Sequence, residues 1–411
     1  MKRRGLGPLF FVGAMVAALA GTAACAAVFG FERLSTDGAD AQTPEGSTEA
    51  GGDTAPPFEG GSSCSELGLP GKPGPSDAGG DGSDPIHVGL KTFDFGIDTT
   101  VAPAGFNLDR VCSPAVSQSS CATTANEATF DKYARDLDDK GVDNAGYGLL
   151  AYLSYLGPAF RPSEINLRLA GGEFGFVMRL VNWNGTPEDD EVLVEIFPAV
   201  GVALDADAAT PVPGGKPKFL AGDYWLRDRR FQNIVDASRI RSASAFVTGG
   251  KLVASFDTVT LPITVPSDPK PVDVILHEGF LFASLVQEGA SWRLQNGVIA
   301  GRWRTADVLG QVRTIYIKDT VGLKNVYLCD PKLPVDVYGA VKKEVCDGRD
   351  LRASSREDNK ALPCEAISAG IRFDSYALDT AGGFADLPAL PARCQKDGSV
   401  ATGDDCPPAA P

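Results

Sequence analysis

The chain is 411 residues long and 43% hydrophobic, enough apolar material for a sizeable core built as one large domain or two small ones. Its 53 acidic residues outnumber the 38 basic ones, giving a formal charge of -15. That balance repels phosphate backbones and anionic headgroups and argues against nucleic acid as a partner. In chain order, residues 1–24 carry the three parts of an export signal peptide. Lys2, Arg3 and Arg4 form the head, Leu6 to Ala20 is apolar, and Gly21 to Ala24 are small. The apolar stretch falls short of the ~20 residues a spanning helix needs, and Gly7, Pro8 and Gly13 interrupt it.

Thr22-Ala23-Ala24-Cys25 resembles the lipobox of bacterial lipoproteins, which implies diacylglycerol on Cys25 through a thioether. The alternative, ordinary signal cleavage nearby, leaves a free thiol. Cysteine arithmetic favours the lipid. The count of nine is odd, and lipidating Cys25 leaves Cys64, Cys112, Cys121, Cys329, Cys346, Cys364, Cys394 and Cys406, enough for four disulfides. Several acyl chains on one cysteine also anchor durably. Residues 25–86 then form the lipidated cysteine and a flexible acidic spacer. From Leu34 to Pro85, Phe58 is the only aromatic and Lys72 the only basic residue. Such a segment buries too little apolar surface to offset its ordering entropy. Cys64 sits inside it, and a disulfide from Cys64 into the body would pin the spacer's second half.

The body, 87–328, is rich in strand signals. Asp143 to Leu156 precedes them as a helix, with Leu149, Leu150, Leu153 and Leu156 at helical spacing. Ile165, Leu167 and Leu169 alternate with polar residues, and Phe174, Phe176, Met178 and Leu180 follow Gly171-Gly172, which predicts a hairpin. Val192, Val194 and Ile196 continue the pattern. Paired glycines at Gly249-Gly250 predict a tight turn between Phe246–Thr248 and Leu252–Phe256. Further strands are expected at Phe280–Val286, Trp292–Gln295 and Val298–Trp303, with Asn296-Gly297 as a turn. A helix is expected over Thr305–Ile317, although its β-branched end suits a strand equally, and another near Val335–Val345. The fold class is mainly β, an antiparallel β-sandwich with flanking helices. Residues 329–394 make a helical, cysteine-rich, disulfide-stapled C-terminal part of the same body, and 395–411 a tail.

Chemistry-bearing motifs are scarce. No G-x-S-x-G elbow, phosphate-cradling glycine loop, H-E-x-x-H helix or C-x-x-C pair occurs. The cysteines are therefore expected to be oxidised staples, with Cys112–Cys121 the first choice, closing a loop worth about 2–3 kcal/mol. His87 and His277 are the only histidines, and neither has a visible partner for general-base work. Asp136, Asp138 and Asp143 have part of a calcium-loop spacing. Lys140, however, takes a ligand position and Tyr147 stands where the bidentate glutamate belongs. The alternative is a solvated acidic turn capping the next helix. Trp183, Trp225, Trp292 and Trp303 offer either a sugar-stacking platform or core residues.

As a set, the lipobox at Cys25, the acidic spacer and several short runs resemble uncharacterised predicted lipoproteins of myxobacterial type. The runs are Gly105-Phe106-Asn107-Leu108-Asp109, Gly141-Val142-Asp143-Asn144-Ala145, Gly297-Val298-Ile299-Ala300-Gly301-Arg302 and Pro363-Cys364-Glu365-Ala366-Ile367-Ser368. The resemblance implies a cell-envelope address, at the outer membrane or cell surface, with the membrane as partner through the lipid. It brings no activity, cofactor or site residues. The leading expectation is a non-catalytic module binding a glycan or an envelope protein. One alternative is a carboxylate-dependent hydrolase of envelope or extracellular polymers, which needs two close acids in a cleft. The other is a purely structural role.

Overall fold

Alternating side chains dictate a sheet that closes on itself. The computed structural model describes residues 64, 66–75, 84–96, 104–126, 128–129, 136–138, 140–156, 161–208, 212–228, 240–263, 272–313, 315–317, 326–328, 337–358, 360–385 and 404–407. The export segment, Cys25, Cys329 and Cys394 lie outside them. The main strands are β1 (Ile86–Asp94), β2 (Gly175–Val181), β3 (Asp189–Ala203), β4 (Pro213–Gly215), β5 (Trp225–Asp228), β6 (Arg241–Thr248), β7 (Lys251–Ile263), β8 (Val272–Glu288) and β9 (Ser291–Arg304). Short β10 (Tyr316–Ile317) and β11 (Val326–Tyr327) pair with each other, and β12 (Ala366–Leu378) and β13 (Gly383–Ala385) complete the set. Among the described residues the helices are α1 (Ala145–Leu156), α2 (Pro162–Gly171), α3 (Thr305–Val312) and α4 (Val337–Asp347).

The mainly β, antiparallel class with flanking helices and a disulfide-stapled C-terminal part is what the molecule has. Its sheet runs β3-β2-β1-β12-β9-β8-β7-β6, and β6 pairs again with β3. The two facing halves of the sandwich are thus joined at both edges into a barrel of eight antiparallel strands. An eight-stranded barrel is just wide enough for side chains to fill. Val88, Met178, Ile196, Leu252, Leu281, Ile299 and Ile371 belong to one continuous core. The opposite face of β8, β9 and β12 carries Phe280, Phe282, Val298, Ala300 and Ala366. Leu67, Leu69, Phe106, Leu108 and Leu351 cover it.

Several elements differ from expectation, each for a local reason. Ile165 to Leu169 is helix α2, not a strand. Pro162 opens it, Ile165 and Leu169 four residues apart are buried, and Leu167 between them is 66% exposed. Gly172 takes the left-handed conformation (φ 73°) and caps the helix, donating to the carbonyls of Arg168 and Leu169, so Gly171-Gly172 is a helix end and not a hairpin turn. Gly249 and Gly250 do form the expected tight turn, with φ of 55° and 69°. Asn296-Gly297 is a bulge inside β9, since pairing slips between Phe282 and Ser284, and the actual turn to β8 is Gly289-Ala290. Helix α3 stops at Val312, and Tyr316-Ile317 are strand.

The cysteine pairing corrects the short-loop choice. Cys112 joins Cys64 and Cys121 joins Cys364, because the two neighbours serve different partners, and Cys346 joins Cys406. Cys64 thus ties the second half of the spacer to the body. Residues 404–407 are docked rather than frayed. Asp404 takes Tyr338 and Lys342, Asp405 accepts from Thr305 Oγ1 (2.8 Å), and Cys406 carries the staple.

Candidate functional site

One end of the barrel gathers the start of β1, the end of β12 and the turns β2–β3, β6–β7 and β8–β9. Side chains build the β2–β3 turn. Asn182 and Gly185 have positive φ, Asn184 Oδ1 accepts from Thr186 N (2.8 Å), and Asp189 Oδ2 accepts from Asn184 N (2.7 Å). The acidic run there is a strand connection, with Glu188 Oε1 accepting from Gly249 N (2.7 Å). This turn sets Trp183, whose Nε1 donates to Thr186 O (3.0 Å), against Trp292 at the start of β9. The rings meet edge to face with centroids 4.7 Å apart.

Beside them opens a cleft of about 350 Å³, walled by Trp183, Trp292, Ile86, Leu378 and the polar groups of Asp84, His87, Ser291 and Asp379. Trp183 is buried and Trp292 half-buried, so Trp292 is the more accessible of the two rings. Burial, then the charges of Arg179 and Arg227, push His87 below its usual range and keep it neutral. Trp225 and Trp303 are core. Trp225 Nε1 donates to Tyr376 OH (2.6 Å), which donates to Asp223 (3.0 Å).

A wider groove of about 960 Å³ lies along β7 and β8, walled by Ser244, Ser255, Asp257, Glu278, Ser354 and Arg356. Glu278 accepts from Ser354 Oγ (2.6 Å) and Ser355 N (2.8 Å) and faces Arg302 Nε at 3.4 Å. Burial raises its pKa, but these donors outweigh it and the net shift is downward. Arg302, 1% exposed, also holds Asp358 in a two-pronged pair (2.9 and 2.7 Å) and donates to the carbonyls of Leu108 and Arg352.

The calcium-spaced acids do not form a solvated turn. Asp143 is fully buried, and Asn144 caps α1 instead, its Oδ1 accepting from Tyr147 N (3.1 Å). Asp143 Oδ2 accepts from Leu108 N and Asp136 Oδ2 from Ser113 N, while Asp138 Oδ1 takes the amides of Lys140 and Val142. No group of three or more His, Cys, Asp or Glu among the described residues is arranged to hold a metal ion. Asp143 and half-buried Asp136 form a quartet with the buried Asp109 and Asp350. Burial first, then mutual repulsion, pushes Asp136 up to about 7 and Asp143 well above the carboxylate range. Asp350, raised to about 7 chiefly by burial, accepts from Ser368 N and Oγ.

His277 does have a partner. Its Nε2 lies 2.8 Å from Asp307 Oδ2 on α3, and its Nδ1 3.4 Å from Thr258 Oγ1. Neither cleft is walled by His277, so this trio ties β7, β8 and α3 together. Sequence reading missed Asp84, Asp379, Arg302 and Asp350 as polar residues of consequence. The one usable signal was Arg302 amid the small and apolar residues of β9. No protein-family model, curated protein or solved structure matches this chain.

Proposed function

We propose that this protein is an exported, lipid-anchored component of a bacterial cell envelope whose barrel binds a glycan at the Trp183–Trp292 cleft. The observation that carries the binding reading is the half-buried Trp292 ring, in edge-to-face contact with Trp183 and flanked by polar side chains in a cleft of about 350 Å³. A flat apolar face beside hydrogen-bonding groups is what a sugar ring needs, and barrel mouths are common ligand sites. The export reading is supported by the lipobox-like run at Cys25 and by the three disulfides among the described residues, since such bonds persist in oxidising compartments. No metal takes part in this reading.

Two experiments test it. A glycan array probed with the purified body should give signals that Trp292→Ala abolishes while leaving the melting temperature within a few degrees; an array signal untouched by that change removes the cleft from consideration. Mass spectrometry of native material should find Cys25 diacylated. The hydrolase alternative draws on the wider groove, where Asp257 and Glu278 share a wall. Product release from the same glycans, lost in Asp257→Asn and Glu278→Gln, would favour it.

A further inference from the structure

We infer that the aromatic cleft selects glycans bearing a free, positively charged amino group over their N-acylated counterparts. This rests on the cleft being the glycan site and adds the class of ligand. Three features of the wall lead there. The first is its charge: Asp84 and Asp379, both exposed, stand on it without an ion-pair partner among the described residues. Asp84 precedes β1 and Asp379 follows β12, so the pairing of those two strands sets both carboxylates at one rim.

The second is the ring. Trp183 and Trp292 both line the cleft and meet edge to face, with Trp292 the more exposed of the two. An aromatic face attracts a cation through its quadrupole, and Trp does so best. The third is that the described wall carries no competing positive charge. Among the described residues His87 is the sole basic side chain there, and burial, then the charges of Arg179 and Arg227, lower its pKa and favour the uncharged imidazole. Arg179 is itself occupied by Glu195, and Arg293, next to Trp292, is engaged by Glu288 at 3.3 Å. An ammonium entering the cleft therefore meets two carboxylates and a π face, whereas a carboxylated or sulfated sugar meets like charge. The overall charge of -15 draws cationic ligands in the same direction.

The test compares glucosamine oligomers with N-acetylglucosamine oligomers of equal length by calorimetry on the purified body. The free amine should bind about tenfold more tightly at low salt, the sum expected of one cation–π contact and rim ion pairs. The double substitution Asp84→Asn and Asp379→Asn should lower glucosamine-oligomer affinity by about tenfold, to that of the N-acetylated oligomers on the same variant. Added salt should erode the preference on the amine side alone. Equal affinity in the unchanged protein, or a preference that survives the double substitution, overturns amine selection and leaves the glycan site standing. Failure of both sugars and of every array glycan to bind a folded protein overturns the site itself.

Discussion

Arg302 shows how much a single side chain carries here. Its guanidinium is buried and meets Asp358, Glu278 and the carbonyls of Leu108 and Arg352, so it links the segment before α1, the middle of β8 and the loop before β12. Removing one partner of a buried ion pair leaves an uncompensated charge, which costs about 3–5 kcal/mol. Arg302→Ala should therefore lower the urea midpoint sharply, whereas Arg304→Ala, exposed two residues on, should leave it nearly unchanged. Equal effects would show that Arg302 is not a structural node. The sequence displays Arg302 only as a charge within an apolar run. Its acceptors lie 24 to 194 residues away along the chain, and that convergence is a product of the closed sheet. The same holds for Trp183 and Trp292. Both were visible as aromatics, but only the β2–β3 and β8–β9 turns at one end make them a pair.

Elements were legible where period and punctuation agreed. The β6–β7 hairpin, β3 and α1 follow from alternation, paired glycines and leucine spacing. Helix α2 misled because Ile165, Leu167 and Leu169 satisfy period two, while the first and last of them also satisfy the i, i+4 spacing of a helix. Pro162 and the left-handed Gly172 decide the matter. Strand β12 alternates Ile367, Ala369, Ile371 and Phe373, but Gly370 and the small residues among them dilute its strand signal. The helix makes a sharp prediction. Leu167→Ser should change stability by under about 0.5 kcal/mol, as exposed positions do, whereas Ile165→Ala should cost about 2–4 kcal/mol. A strand would bury both residues on one face and penalise both changes. Gly172→Ala should also be destabilising, since its φ is 73° and an added Cβ would run into the Gly215 carbonyl. Chemical denaturation of the three variants checks all of this.

At the scale of the molecule, the arm stapled by Cys64–Cys112 and Cys121–Cys364 closes over four carboxylates, and this should govern how stability responds to pH. Asp109, Asp136, Asp143 and Asp350 all have pKa values raised above the ordinary 3.8, Asp136 and Asp350 to about 7. Between about 4 and 7 the folded state therefore holds more protons than the unfolded chain, so stability falls as pH rises through that window. His87 acts in the opposite sense. Its lowered pKa means that the unfolded chain takes up a proton first, costing stability as pH drops below its ordinary 6.5, but it is one group against four. Glu278 and Asp404, with lowered values, matter only below their ordinary carboxylate range. The melting temperature should accordingly drop by several degrees from pH 5.5 to 7.5, the span around the value of about 7 for Asp136 and Asp350. Asp350→Asn, which fixes a neutral group beside Ser368, should flatten that slope and raise the melting temperature at the alkaline end. A melting temperature that instead climbs with pH would mean that the quartet is ionised in the fold and held by donors stronger than Ser368, Ser113 and the Leu108 amide.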